Sequence, residues 1–181
     1  MIEEEYDWED MSGVIAHREW EKRRESRERA RNDIDKVMEL SVQDWVQVFL
    51  YVNNDSMIKT PLFKELCLFG ERTGLNDFGI FNWYPHSYGP HSKEVEQAID
   101  DLIDRGVVER EVDRSSSGRI YKRYTLKSRA EVERLWKLLP KTIKDIIREI
   151  HREFRGKSLD EILTYVYSAY PEYTTKAAKK C

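Results

Sequence analysis

The chain has 181 residues and a mass of 21.7 kDa, the size of one domain or of one domain with an extension. Charged residues make up 36% of it, against roughly 25% in an ordinary soluble domain, while 8 Gly and 5 Pro are too few for a collagen-like chain and disfavour an all-β sandwich. With 31 basic and 34 acidic residues the net charge is −3, so no global field drives the molecule onto nucleic acid and any such contact needs a local basic patch.

Residues 1–40 read as a charged N-terminal helical arm. An acidic opening (Glu3, Glu4, Glu5, Asp7, Glu9, Asp10) precedes His17–Lys36, where eight Lys and Arg and six Asp and Glu surround only Trp20, Ala30 and Ile34. Glu, Arg and Lys are good helix formers, which predicts a helix over about 14–40. A helix polar all round is solvated, or it serves as a pairing or partner-binding arm. Val14, Val37, Met38 and Leu40 give it apolar ends without a sustained heptad.

From Ser41 the apolar signal strengthens. Ser41 caps a helix over 42–53 carrying Val42, Trp45, Val46, Phe49 and Leu50, and Asn53-Asn54-Asp55 supplies turn chemistry to stop it. Thr60-Pro61 reads as a cap with Pro in the first turn of a helix over 61–73 that ends near Gly74. The aromatic, turn-rich segment 75–90 is expected to hold one short strand. Ser92 opens a helix over 91–105, with Val95, Ile99 and Leu102 at helical spacing and Gly106 closing it. A hairpin over 107–126 follows, turning at Ser115-Ser116-Ser117-Gly118. Three more helices complete the chain, the second carrying Ile143, Ile146, Ile147 and Ile150 and the third opened by the capping pattern Ser158-Leu-Asp-Glu161. Three helices and then a hairpin is the order of a winged helix, although it also fits a general α+β fold, and the aromatic segment between the second and third helices is longer than a usual helix–turn–helix linker. The expected fold is therefore mostly helical α+β: a winged-helix-like core at 41–127, a C-terminal helical cap at 128–181 and the arm.

The residues also resemble a family. Ile58-Lys-Thr-Pro-Leu-Phe-Lys-Glu-Leu, Phe81-Asn-Trp-Tyr, Tyr88-Gly-Pro-His-Ser-Lys-Glu-Val, Asp101-Leu-Ile-Asp-Arg-Gly-Val-Val-Glu and Tyr165-Val-Tyr-Ser-Ala-Tyr-Pro-Glu-Tyr-Thr look like the YwgA-like proteins of bacteria and archaea. More distantly they are similar to the Panacea group, which includes SocA-type antitoxins and phage-associated proteins. The resemblance spans about 42–175, with Tyr88-Gly89-Pro90 its most specific piece. It implies a winged-helix-like fold with a regulatory, antitoxin or adaptor role and no established chemistry.

Candidate contact residues fall into three groups. On the hairpin, Arg110, Arg114, Arg119, Lys122 and Arg123 cluster around the turn, partly balanced by Glu109, Glu111 and Asp113. Such a wing can donate to phosphates of double-stranded DNA, although exposed hairpins also carry Lys and Arg to protect their edges. Lys144, Arg148, Arg152 and Arg155 line one face of the isoleucine-rich helix, flanked by Asp145, Glu149 and Glu153. They form either a second anion-binding stripe or a salt-bridged surface. The helix over 91–105 would enter the major groove in a simple winged helix, yet Glu94, Glu96, Asp100, Asp101 and Asp104 face only Lys93. A phosphate backbone repels such a helix, so its acidic face is solvated or docks a basic protein.

The remaining signals are subtractive. Cys67 sits in an apolar run and Cys181 is terminal; the pair make neither a disulfide framework nor a four-ligand zinc site. His86 and His91 frame a turn and are read as hydrogen-bonding within it, and no metal or cofactor is expected. No phosphate loop, nucleophile elbow or metalloprotease motif is present, so the chain is not expected to be an enzyme. No apolar stretch approaches the ~20 residues of a membrane span, and the acidic start is unlike a targeting peptide. A cytosolic protein is expected. The leading expectation is a non-enzymatic DNA-binding regulator using the basic wing, with the arm aiding homodimerisation. The alternative is an antitoxin-like or adaptor module using its acidic helix.

Overall fold

The structure, a computed structural model, describes residues 8–174. The acidic opening Glu3, Glu4, Glu5 and Asp7, and Cys181, lie outside the described residues. Within them the chain is α+β and mostly helical: α1 (Trp8–Ala30), α2 (Ile34–Val37), α3 (Val42–Val52), β1 (Ser56–Ile58), α4 (Lys59–Thr73), β2 (Tyr84–His86), β3 (Gly89–His91), α5 (Lys93–Asp104), β4 (Val108–Arg114), β5 (Ile120–Leu126), α6 (Ala130–Leu138), α7 (Lys141–Phe154) and α8 (Leu159–Ala169). None of the described helices is long and apolar enough to cross a membrane.

Local chemistry sets most of these boundaries. Ser41 and Asp44 form a reciprocal capping box at the start of α3. The Ser92 hydroxyl accepts from the Val95 amide at 3.1 Å and the Ser158 hydroxyl from the Glu161 amide at 3.2 Å, starting α5 and α8. Gly74 ends α4 in the left-handed region, at φ +87°. The start of α4 differs from expectation. Helical backbone begins at Lys59, the N-cap position belongs to Ile58, and no side chain caps it. Thr60-Pro61 is thus already inside the first turn, because the three residues before α4 pair as a strand with β5 and deliver the chain directly into the helix.

The sheet runs β1-β5-β4 and is antiparallel throughout. Segment 84–91 holds two short strands rather than one, paired as Tyr84↔His91 and His86↔Gly89. Trp45, Phe49 and Phe69 meet at ring centroid distances of 4.8 and 5.4 Å in a core shared by α3, α4, α5 and α7 and covered by the base of the β4–β5 hairpin. Each such side chain stabilises the fold by about 1.5–3 kcal/mol through removal from water.

Helix α1 is not solvated all round. It packs against α4, α7 and α8, with Ala30 fully buried and Glu19 and Ser26 nearly so. The contact is made by charge. Glu19 accepts from Arg72 at 2.8 and 3.1 Å, Lys22 pairs with Glu153, and Arg29 with Glu149 at 3.0 Å. The helix breaks after Ala30 and resumes as the single turn α2, which seats Val37 in the core.

Candidate functional site

The register of the β4–β5 hairpin sorts its charges. Strand residues alternate between faces, and the pairs Arg110↔Tyr124, Val112↔Lys122 and Arg114↔Ile120 put Arg110, Arg114 and Lys122 on one face. That face contains no carboxylate from either strand. Glu109, Glu111, Asp113 and Arg123 fall on the other. The charges that balance in sequence are therefore separated by the pleat.

Pairing then divides the cations along the hairpin. Toward its base, Arg110 lies 3.6 Å from Asp100 of α5, and Arg123 donates to Asp113 at 2.9 Å. Toward its tip, Arg114, Arg119 and Lys122 are exposed and have no side-chain partner among the described residues. The turn between the strands is closed by bonds from the Ser115 amide to the Arg119 carbonyl at 2.8 Å and from the Gly118 amide to the Ser115 carbonyl at 2.9 Å. Gly118 supplies the positive φ of +83°. Val112 and Ile120, on the cationic face, are 65% and 61% exposed.

The acidic helix presents fewer free groups than its sequence suggests. Glu94 accepts from Asn82 at 3.1 Å, Asp101 from Gln97 at 2.9 Å and Gln43 at 3.4 Å, and Asp100 faces Arg110. Glu96 accepts from Lys59 at 2.7 Å and lies 3.2 Å from His91. Burial would raise its carboxyl, but those two donors outweigh it and hold the group below its usual range.

The α7 stripe is split among three settings. Lys144 and Arg148 lie over the Trp136 ring at 5.8 and 5.1 Å. Arg152 borders a cavity between α1 and α7, next to Lys22, Glu149 and Glu153. Arg155 borders a cleft of about 310 Å³ that also receives Arg123, His151 and the buried carboxyl of Glu65. Only Arg155 is thereby brought close to a wing residue.

His86 and His91 sit with ring centroids 4.9 Å apart, and His91 also stacks on Phe63 at 5.1 Å. Among the described residues no group of three or more His, Cys, Asp or Glu is placed to hold a metal. Cys67 is buried, and burial pushes its thiol up.

Two buried cations of α4 escape the sequence reading. Arg72, 1% exposed, is held by Glu19 and Glu153 and by the Tyr165 hydroxyl at 3.3 Å. Lys64, 3% exposed, has one hydrogen bond, to the Pro90 carbonyl at 3.0 Å, and no carboxylate. Burial draws its amine down to about 7. The signal in the sequence was α4 itself: a helix apolar around most of its circumference that still carries Lys64, Glu65 and Arg72.

Comparison of the chain with protein-family models, with curated proteins and with solved structures finds no match.

Proposed function

We propose that this is a non-enzymatic regulator of winged-helix type that grips double-stranded DNA through the tip of its wing; the resemblance to YwgA-like and Panacea proteins implies a winged-helix-like fold with a regulatory, antitoxin or adaptor role. Support for the fold type comes from α3, β1, α4, α5 and the β4–β5 hairpin in that order, with β1 on the outer side of β5, although the β2–β3 hairpin between α4 and α5 departs from a simple winged helix. One observation carries the functional reading: Arg114, Arg119 and Lys122 gather at an exposed hairpin end, two of them on a face to which neither strand contributes a carboxylate, and none has a side-chain partner among the described residues. Cations without partners keep their full capacity to replace counterions on a phosphate backbone.

The contact this favours is a wing laid along the backbone or minor groove, not insertion of α5, whose acidic face repels phosphate. The adaptor reading has weaker support, because the carboxylates of Glu94, Glu96, Asp100 and Asp101 are each occupied within the chain.

Gel-shift titrations of random-sequence duplex at several salt concentrations test the proposal. Three phosphates neutralised give a log–log slope near −3 (roughly 0.9 per contact). Replacing Arg114, Arg119 and Lys122 together by Ala should abolish the slope, while Glu96→Gln should leave it in place. Absence of binding at low ionic strength, or binding that survives the triple replacement, overturns it.

A further inference from the structure

A cleft of about 260 Å³ opens between the first turns of α4, the β2–β3 hairpin and the wing strand β5. Three features converge on it. The first is the buried amine of Lys64, whose one hydrogen-bond partner among the described residues is a carbonyl oxygen and which meets no carboxylate among them. Its cover depends on Gly89: a Cβ there would stand 2.9 Å from Lys64 Cε, and φ is +89°. The second is Lys122, reaching the cleft from the wing without a partner of its own among the described residues. The third is the start of α4, uncapped by any side chain and presenting the positive end of a 15-residue helix to the same space.

The remaining walls are apolar or aromatic: Ile58, Phe63, Pro90, Ile120 and the His91 ring stacked on Phe63. The one carboxylate nearby, Glu96, is committed to Lys59 and His91. For scale, an engineered apolar cavity of about 150 Å³ admits benzene, so this cleft has room for a ring bearing a charged group.

The geometry points to a binding site for a small organic anion, a carboxylate or phosphate on a single flat ring, with its charge between Lys64 and Lys122 and its ring beside Phe63 and His91. An anion there supplies the counter-charge that the described residues of the fold do not give Lys64. The inference shares Lys122 with the reading of the wing, but no DNA enters its test, so the two fail separately.

The test is an NMR titration of the full chain with benzoate, phenyl phosphate, inorganic phosphate and the neutral isostere benzamide, in chloride buffer. At least one aromatic anion should shift resonances of Phe63, His91 and Ile120 saturably, and bind tenfold or more tightly than benzamide or inorganic phosphate. Lys64→Met should weaken binding at least tenfold and Lys122→Ala about threefold, the latter being an exposed position that leaves the fold intact. No saturable shift from either aromatic anion up to millimolar concentration overturns the site. Benzamide binding as well as benzoate overturns the role of charge, and inorganic phosphate binding as well as phenyl phosphate overturns the role of the ring. Affinity unchanged in both lysine variants overturns the assignment of residues.

Discussion

Helix α4 buries two cations two turns apart, and their surroundings are opposite. Arg72 meets two carboxylates and a tyrosine hydroxyl, and through them ties α1, α7 and the segment around Tyr165 to α4. Lys64 meets one carbonyl oxygen. The wing repeats the contrast at the surface, with Arg110 and Arg123 paired near its base and Arg114, Arg119 and Lys122 left alone at its tip. The buried or half-buried pairs of Arg72 and the pair of Arg110 with Asp100 join elements to one another. The unpaired cations of the hairpin tip are exposed.

Four changes break or sharpen that contrast. The largest effect belongs to Arg72→Met, which leaves the buried Glu19 carboxylate with only the Tyr165 and Tyr170 hydroxyls and the half-buried Glu153 with Lys22. Chemical denaturation should show a loss of about 3–5 kcal/mol, part of it recovered when Glu19→Leu is added. A loss below 1 kcal/mol would separate α1 docking from this network.

Next in size is Glu65→Gln. Burial pushes the Glu65 carboxyl up to about 8, from an ordinary 4.5, against an opposing hydrogen bond from Asn53. A raised carboxyl contributes stability in full below 4.5 and loses it as pH rises through 8. The variant should therefore gain on the native chain across that window, by roughly 2–4 kcal/mol at pH 8. Lys64→Met should act with the reverse pH sense. The amine falls from 10.5 to about 7, so its contribution is full above 10.5 and is lost as pH falls through 7. The variant gains as pH is lowered, by roughly 1–3 kcal/mol in a buffer without organic anions. A gain independent of pH would mean that Lys64 has a counter-charge in solution. The smallest effect on the fold is expected at the wing tip, where Arg119→Ala should change stability by less than about 0.5 kcal/mol while lowering the salt slope of DNA binding by about one unit.

How much of this was legible in the sequence follows from the range of each interaction. The caps at Ser41, Ser92 and Ser158 are written within four residues of themselves and read correctly, as does the hairpin with its alternating pattern. The pleat that separates Arg110, Arg114 and Lys122 from Glu109, Glu111 and Asp113 was also present in that alternation, but the charges were summed along the strand instead of sorted by face. β1 was missed because three residues carry no period, and its partner lies 65–69 positions away. The docking of α1 was missed for a related reason. Hydropathy treats Glu19 and Arg72 as two exposed charges, and only the fold brings them within 2.8 Å. Lys64 was passed over because a single lysine on an apolar helix ordinarily extends its head to water. Here the β2–β3 hairpin closes over it.

The proposed contact through the β4–β5 hairpin, and not through α5, is tested most directly by titrating a short duplex into isotopically labelled protein at low salt and following backbone amide shifts. The account predicts saturable shifts over residues 114–122 that recede as salt is raised, with residues 94–101 of α5 unmoved. Shifts concentrated on α5, or none anywhere, would contradict it.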